Sequence, residues 1–255
     1  RTGFRRIALD RGPDGKDFAL LVNGTRIFCR GAVWTNADIA RLPGTHAAYE
    51  PWLRLAASAG MNMLRIGGTM TYESPEFFAL CDELGILVWQ DLIFANFDYP
   101  VKDEGFVAHV RAEVSAFLDA TAASPSLAVI CGGSEMHQQG AMLGLPESAW
   151  KTPLTQEILP ALAATHRPDV PFVENSPSGG AQPFFVNEGL GHYYGVGAYE
   201  RPLADAARHR EDFDPPAQFL AAGGGIHRGR RTDQGCAPGH ALDRHQPGIP
   251  HRPDK

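Results

Sequence analysis

The chain has 255 residues, enough for one or two domains at roughly 100–200 residues each. Its 44% hydrophobic and 20% charged residues exclude a wholly disordered chain or a coiled coil. A formal net charge of −6 argues against general nucleic-acid or membrane-surface binding, and no apolar run approaches the ~18 residues of a membrane span. In chain order, the opening Arg1-Thr2-Gly3-Phe4-Arg5-Arg6 is basic but leads into no apolar core. No signal peptide is therefore read there, the expected compartment is cytoplasmic, and the missing initiator Met suggests a piece of a longer protein. Ile7 and Leu9, Phe18 to Val22, and Arg26 to Phe28 read as β-structure, with Asn23-Gly24 as a hairpin turn in preference to a glycosylation sequon.

From there short apolar strands alternate with helices. The strands are expected at Ile27 to Ala32, Met63 to Ile66, Ile86 to Asp91, Leu127 to Cys131, Phe172 to Glu174 and His192 to Val196. Tyr49 to Ala59 is a helix whose apolar face is expected to hold Trp52, Leu55, Ala56 and Ala59. A second runs from Ser74-Pro75 to Gly85 with Phe77, Leu80, Cys81 and Leu84 on one stripe. Phe106 to Ala120 and a helix opening at Thr152-Pro153 follow. Strand-then-helix order at spacings of ~20–45 residues predicts parallel βα units. No G-x-G-x-x-G follows the first strand, which argues against a dinucleotide fold. Polar residues cluster at strand C-termini instead: Trp34, Arg65, Gln90-Asp91, Ser134-Glu135 and Asn175-Ser176. The predicted fold is an α/β (β/α)8 TIM-type barrel, whose site lies at those ends, truncated to about six units.

Residues 223–255 change character, being rich in Gly, Pro, Arg and His with no aromatic residue. They carry +3 of charge against −9 for the rest, and are read as a disordered tail or an aberrant translation product in preference to an acidic-partner arm. Cys29, Cys81, Cys131 and Cys236 form no C-x-x-C pair, and His137 has no second histidine at ligand spacing. Neither a metal nor a redox site is expected.

A chain of motifs points further. Gly3-Phe4-Arg5-Arg6-Ile7, Phe18 to Gly31, Asn62-Met63-Leu64-Arg65 with Tyr72-Glu73, Leu80 through Asp91, Cys131-Gly132-Gly133-Ser134-Glu135, Ser176-Pro177-Ser178 and His192-Tyr193 occur in one order. Together they resemble glycoside hydrolase family two, in its β-mannosidase-like branch, over residues 1 to about 215. The resemblance implies three parts: residues 1–26 as the end of an immunoglobulin-like β-sandwich, 27–222 as a partial barrel, and 223–255 as the tail. It also implies a retaining exo-β-glycosidase acting on terminal β-linked sugars of an oligosaccharide or glycoside. Glu135 stands where the family has its acid/base. Trp34, Arg65, Glu73, Trp89, Asp91, Ser134, His192 and Tyr193 are the expected substrate-binding residues. No cofactor is implied, because protonation and displacement are both carboxylate chemistry. The sequence departs from the family at Ser134 in place of Asn, Gly67 in place of Trp, and Leu190 in place of Asp.

A retaining mechanism needs two carboxyls ~5–5.5 Å apart. Glu135 follows a Gly-Gly turn expected to let the backbone approach substrate, and apolar surroundings are expected to raise its pKa. The family's nucleophile would fall roughly ninety residues later, yet no Glu occurs after Glu211. Glu174 is the first alternative to inspect. Two readings stand: an enzyme segment with Glu135 as acid/base, and a non-catalytic chain that at most binds carbohydrate.

Overall fold

A computed structural model describes residues 3–96, 98–186, 188–195, 199–202 and 204–205. The expected tail, with Cys236, lies outside the described residues. Near the N-terminus β1 (Ile7–Asp10), β2 (Ala19–Val22) and β3 (Thr25–Ile27) form an antiparallel sheet in that order. Asn23 and Gly24 both have positive φ (52° and 80°), the geometry of a two-residue hairpin turn that Asn-Gly favours.

The second sheet is all parallel: β4 (Gly31–Trp34), β5 (Met63–Ile66), β6 (Leu87–Asp91), β7 (Leu127–Cys131) and β8 (Phe172–Val173), neighbours in chain order. Between its strands run α1 (His46–Ser58), α2 (Pro75–Leu84), α3 (Glu104–Ala120), α4 (Met136–Met142), α5 (Glu147–Trp150), and a π-helical turn (Leu154–Ile158) that continues into α6 (Leu159–His166). α2 begins and ends on its sequence signals, with Pro75 in the first turn and Gly85 at φ 71° closing it.

The expected strand from Ile27 to Ala32 is two strands of different sheets. The break is held by Asn62, whose side chain accepts from the Arg30 amide (2.6 Å) and donates to the Phe28 carbonyl (2.9 Å). At Gly31 a Cβ would stand 1.8 Å from the Met63 carbonyl oxygen, so only glycine lets β4 start there. A domain boundary after residue 26 would fall inside β3. Residues 192–195 make no strand, and Val196 lies outside the described residues.

Side-chain alternation divides the parallel sheet into two unlike faces. Leu64, Ile66, Val88, Leu127 and Ile130 share one core with α1, α2, α3 and α6. Met63, Trp89, Val129, Cys131 and Val173 point the other way and pack on Ile7, Phe18 and Leu20 of the small sheet. All four of these helices thus lie on one face, and the antiparallel sheet covers part of the opposite one. Arg5 fastens the N-terminal segment across β7, donating to the carbonyls of Pro125 (3.0 Å) and Leu127 (2.7 Å) and to Asp169 (2.8 Å).

On α1 the buried stripe is Tyr49, Leu53 and Ala56, whereas Trp52 and Leu55 are exposed. This corrects the expected face. Both stripes have helical spacing, and the winning one brings Tyr49 against Trp34 and Phe77 (ring centroids 6.5 and 5.5 Å).

Candidate active site

The strands end in a polar cluster on the face away from the helices. Arg65 on β5 and Asp91 on β6 are buried and paired, Nη2 to Oδ2 at 2.6 Å. The Trp89 indole donates to Asp91 Oδ1 at 2.8 Å, two residues along the same strand. A buried ion pair needs this extra hydrogen bonding to offset desolvation. Beyond the strand ends single bridges continue the sheet from Ala95 to Ser134 and from Ser134 to Ser176. That extension places Ser134 Oγ 3.2 Å from Arg65 Nη2, and Ser176 and Glu135 beside it.

Gly132 and Gly133 make this backbone extension possible. A Cβ on Gly132 would lie 2.3 Å from the Glu174 carbonyl oxygen, and one on Gly133 would lie 2.9 Å from that of Phe94. Glu135 then takes a left-handed conformation (φ 59°, ψ 10°) ahead of α4, while its amide donates to the Ser176 carbonyl (2.8 Å). A non-glycine residue costs ~1 kcal/mol or more there, so the site stores strain in the main chain of Glu135.

His192 joins the two halves of the cluster. Its Nε2 receives the Ser176 hydroxyl (2.9 Å) and faces Arg65 Nη1 (3.5 Å), so Nε2 is the acceptor. Nδ1 therefore carries the proton and donates to Glu135 Oε1 at 3.0 Å. Burial lowers the pKa of His192 and keeps the ring neutral in this role. The Tyr194 hydroxyl donates to the same Glu135 oxygen and accepts from Gln138 Nε2 (3.0 Å). Burial, then the bond to Glu135, raises the pKa of Tyr194.

Glu135 is consequently held below the usual carboxylate range, first by the His192 hydrogen bond, against the opposing effect of burial. This corrects the expected upward shift. Apolar strands do lead to Glu135, but two donors meet its carboxylate, and hydrogen bonds to the charged form favour it.

Arg65, Asp91, Ser134, Glu135 and His192 are thus together. Trp89 lies beneath them, fully buried against Phe18 (5.7 Å). Trp34 ends β4 but turns into the helical layer, packing on Phe77 (5.2 Å). Its indole donates to Glu73 (2.7 Å), which also accepts from Asn36 (2.6 Å) and Tyr49 (2.5 Å). Trp34 and Glu73 therefore form a separate satisfied node. Tyr193 donates to Asp205, while its neighbour Tyr194 meets Glu135. Ser176 was expected at a strand end, whereas Tyr194 and Gln138 were not singled out from the sequence. In a loop without strand alternation, two adjacent tyrosines give no signal of which one turns inward. Among the described residues no group of three or more His, Cys, Asp or Glu could hold a metal. No described helix is long and apolar enough to cross a membrane.

No protein-family profile matches the chain. It is 32% identical over 214 residues to the β-mannosidase of Rattus norvegicus, covering 75% of this chain and 24% of that protein. Against β-mannosidase B of Aspergillus oryzae the identity is 30% over 194 residues, 70% of this chain and 23% of the relative. Among solved structures, β-D-mannosidase from Dictyoglomus thermophilum matches with a TM-score of 0.74 at 30% identity, over 84% of this chain and 27% of that one. An exo-chitosanase from Amycolatopsis orientalis shares the fold, with a TM-score of 0.54 at 20% identity over 73% of this chain and 21% of the other. The chain spans about a quarter of the length of the curated relatives it matches. Its α/β architecture of five parallel strands and its sequence agree, and the chain is a β-mannosidase-like protein of glycoside hydrolase family two.

Proposed function

We propose that this chain is the opening part of a β-mannosidase-type barrel, with Glu135 as the acid/base of a retaining exo-β-glycosidase acting on terminal β-linked sugars. The observation that carries this reading is Glu135 at the end of β7, held by His192 and Tyr194 beside the Arg65–Asp91 pair. Winding favours it too: sequential parallel strands with their helices on one face suit a closed barrel better than a doubly wound sheet. Residues 27–222 would be the barrel portion, and residues 1–26 the end of a preceding immunoglobulin-like domain.

An acid must hold a proton when the leaving oxygen departs, and His192 and Tyr194 favour the ionised form of Glu135 instead. In a complete site a second carboxylate would face Glu135, and its charge would push the Glu135 pKa up. Among the described residues neither alternative carboxylate fills that place. Asp91 has both oxygens engaged by Arg65 and Trp89. Glu174 accepts from Gln156 (2.7 Å) and lines a different cleft. General acid assistance alone gives ~10²–10⁴-fold, far below the ~10⁶-fold or more of enzymes. The chain by itself should therefore turn over little or no aryl β-mannoside. The same two facts favour a second reading, a chain that binds a sugar without cleaving it.

The test compares purified chain with Glu135→Gln on an activated aryl β-mannoside, alongside saccharide titration. Sugar binding without turnover fits the proposal. Turnover abolished by Glu135→Gln would keep Glu135 as acid and reveal a nucleophile elsewhere. Turnover indifferent to that substitution would overturn the assignment.

A further inference from the structure

A cleft of about 290 Å³ lies between α4–α5 and the loop after β8, and the reading above gives it no role. Glu135, Arg65, Asp91 and His192 do not line it. Its walls include His137 and Ala141 from α4, Trp150 at the end of α5 with Lys151 just beyond it, Glu174, and residues 179–183. Gly179 and Gly180 both have left-handed φ (85° and 68°), which shapes that last wall from main chain.

His137 is the informative group, being only 1% exposed. Its Nε2 is 3.2 Å from Thr155 Oγ1, whose own hydroxyl proton goes to the Thr152 carbonyl (3.4 Å). Nε2 is therefore the donor, which leaves Nδ1 as the acceptor nitrogen of a ring that lines the cleft. Burial keeps the ring neutral, with a pKa brought down to about 4. A neutral imidazole at a cleft wall can accept a hydroxyl proton from a guest through that nitrogen.

Glu174 adds a second acceptor, because Gln156 occupies only its Oε2. Lys151 is engaged by Glu147 at 2.6 Å and lies over the Trp150 ring at 5.7 Å. The cleft thus combines acceptors with an apolar lining of Ala141, Leu145 and Trp150. Its volume lies just under the ~300–1,000 Å³ typical of small-molecule sites, enough for one ring and not a chain.

We propose that this cleft is a second saccharide site, separate from the Glu135 cluster, which takes one hexose ring with hydroxyls donating to His137 and Glu174. The choice of a sugar over another polyol rests on the glycosidase reading. The experiment is a titration of the full chain with methyl β-D-mannoside and methyl β-D-glucoside, followed by the ring-nitrogen NMR signals of His137 and His192. A saturable shift of His137 Nδ1 that persists in Glu135→Gln is expected. Glu174→Ala should weaken it by about tenfold, the loss of a hydrogen bond to a charged group. Ala141→Phe, which fills the cleft from α4, should abolish it with the thermal midpoint preserved. Shifts confined to His192 would overturn this site and leave the Glu135 reading standing. A His137 shift that survives Ala141→Phe, or no saturable His137 shift, would also overturn it.

Discussion

At the scale of single residues, the centre of the molecule depends on a charge pair in a place where charges are costly. Arg65 and Asp91 are both nearly inaccessible, and their 2.6 Å contact sits under Ser134 and His192. Removing the guanidinium leaves a buried carboxylate that has lost its countercharge and keeps the Trp89 indole as a donor. Arg65→Met should therefore destabilise the fold by ~3–5 kcal/mol, and the double change Arg65→Met with Asp91→Leu by clearly less. Denaturant melts of both variants decide this, and equal losses would mean that the pair is not the source of the cost. Tyr194 acts more gently. Tyr194→Phe keeps the ring and removes one of the two donors on Glu135, so the Glu135 pKa should rise towards its ordinary value. Carbon NMR of the Glu135 carboxyl through a pH titration reads the change, and an unmoved or lowered value would refute the donor role.

At the scale of elements, helix α1 separates periodicity from packing. Leu53 is fully buried and Trp52 is 53% exposed, one residue apart. Leu53→Ala should cost ~2–5 kcal/mol, while Trp52→Ala should stay within ~1 kcal/mol despite removing the larger side chain. Reversed costs in thermal melts would restore the face expected from sequence. The ambiguity has a physical origin: with Tyr49, Trp52, Leu53, Leu55 and Ala56 all apolar, two overlapping stripes have helical spacing, and only contact with Phe77 and Trp34 chooses between them. Strands β5 and β7 were legible to the residue, because Met63–Ile66 and Leu127–Cys131 are short runs bounded by turn residues. The break between β3 and β4 was not, since it depends on the distant Asn62 side chain and on the Met63 carbonyl facing Gly31. The site shows the same division. Arg65, Asp91, Ser134, Glu135 and Ser176 follow from strand ends, whereas Tyr194 and Gln138 are recruited by local geometry. The direction of the Glu135 shift depends on two loop residues meeting one oxygen, which no local pattern encodes.

At the scale of the whole molecule, buried neutral histidines couple the fold to pH. His137 titrates at about 4 in the folded chain, against about 6.5 when unfolded. Between those values the unfolded chain holds the extra proton, so acidification favours unfolding. The stabilisation is complete above about 6.5 and is lost as pH falls towards 4, an effect on the order of a few kcal/mol. His192 and Glu135, both shifted down, add to it with the same sign. His137→Gln should flatten the stability profile between pH 6.5 and 4 while sparing the plateau at higher pH. A profile as steep as that of the unsubstituted chain would show that other groups set the slope. The strand order has a consequence for how such a chain is made. Each parallel strand pairs with the one synthesised just before it, so the sheet grows in the direction of translation and never waits for a distant partner. Arg5 and Lys16 depart from this order: the acceptors of Arg5 at Pro125, Leu127 and Asp169, and the Glu188 partner of Lys16, leave the ribosome more than a hundred residues later. The small sheet therefore meets Met63 and Trp89 as β5 and β6 appear, whereas the Arg5 side chain gains its acceptors only once β7 and the residues after α6 have emerged.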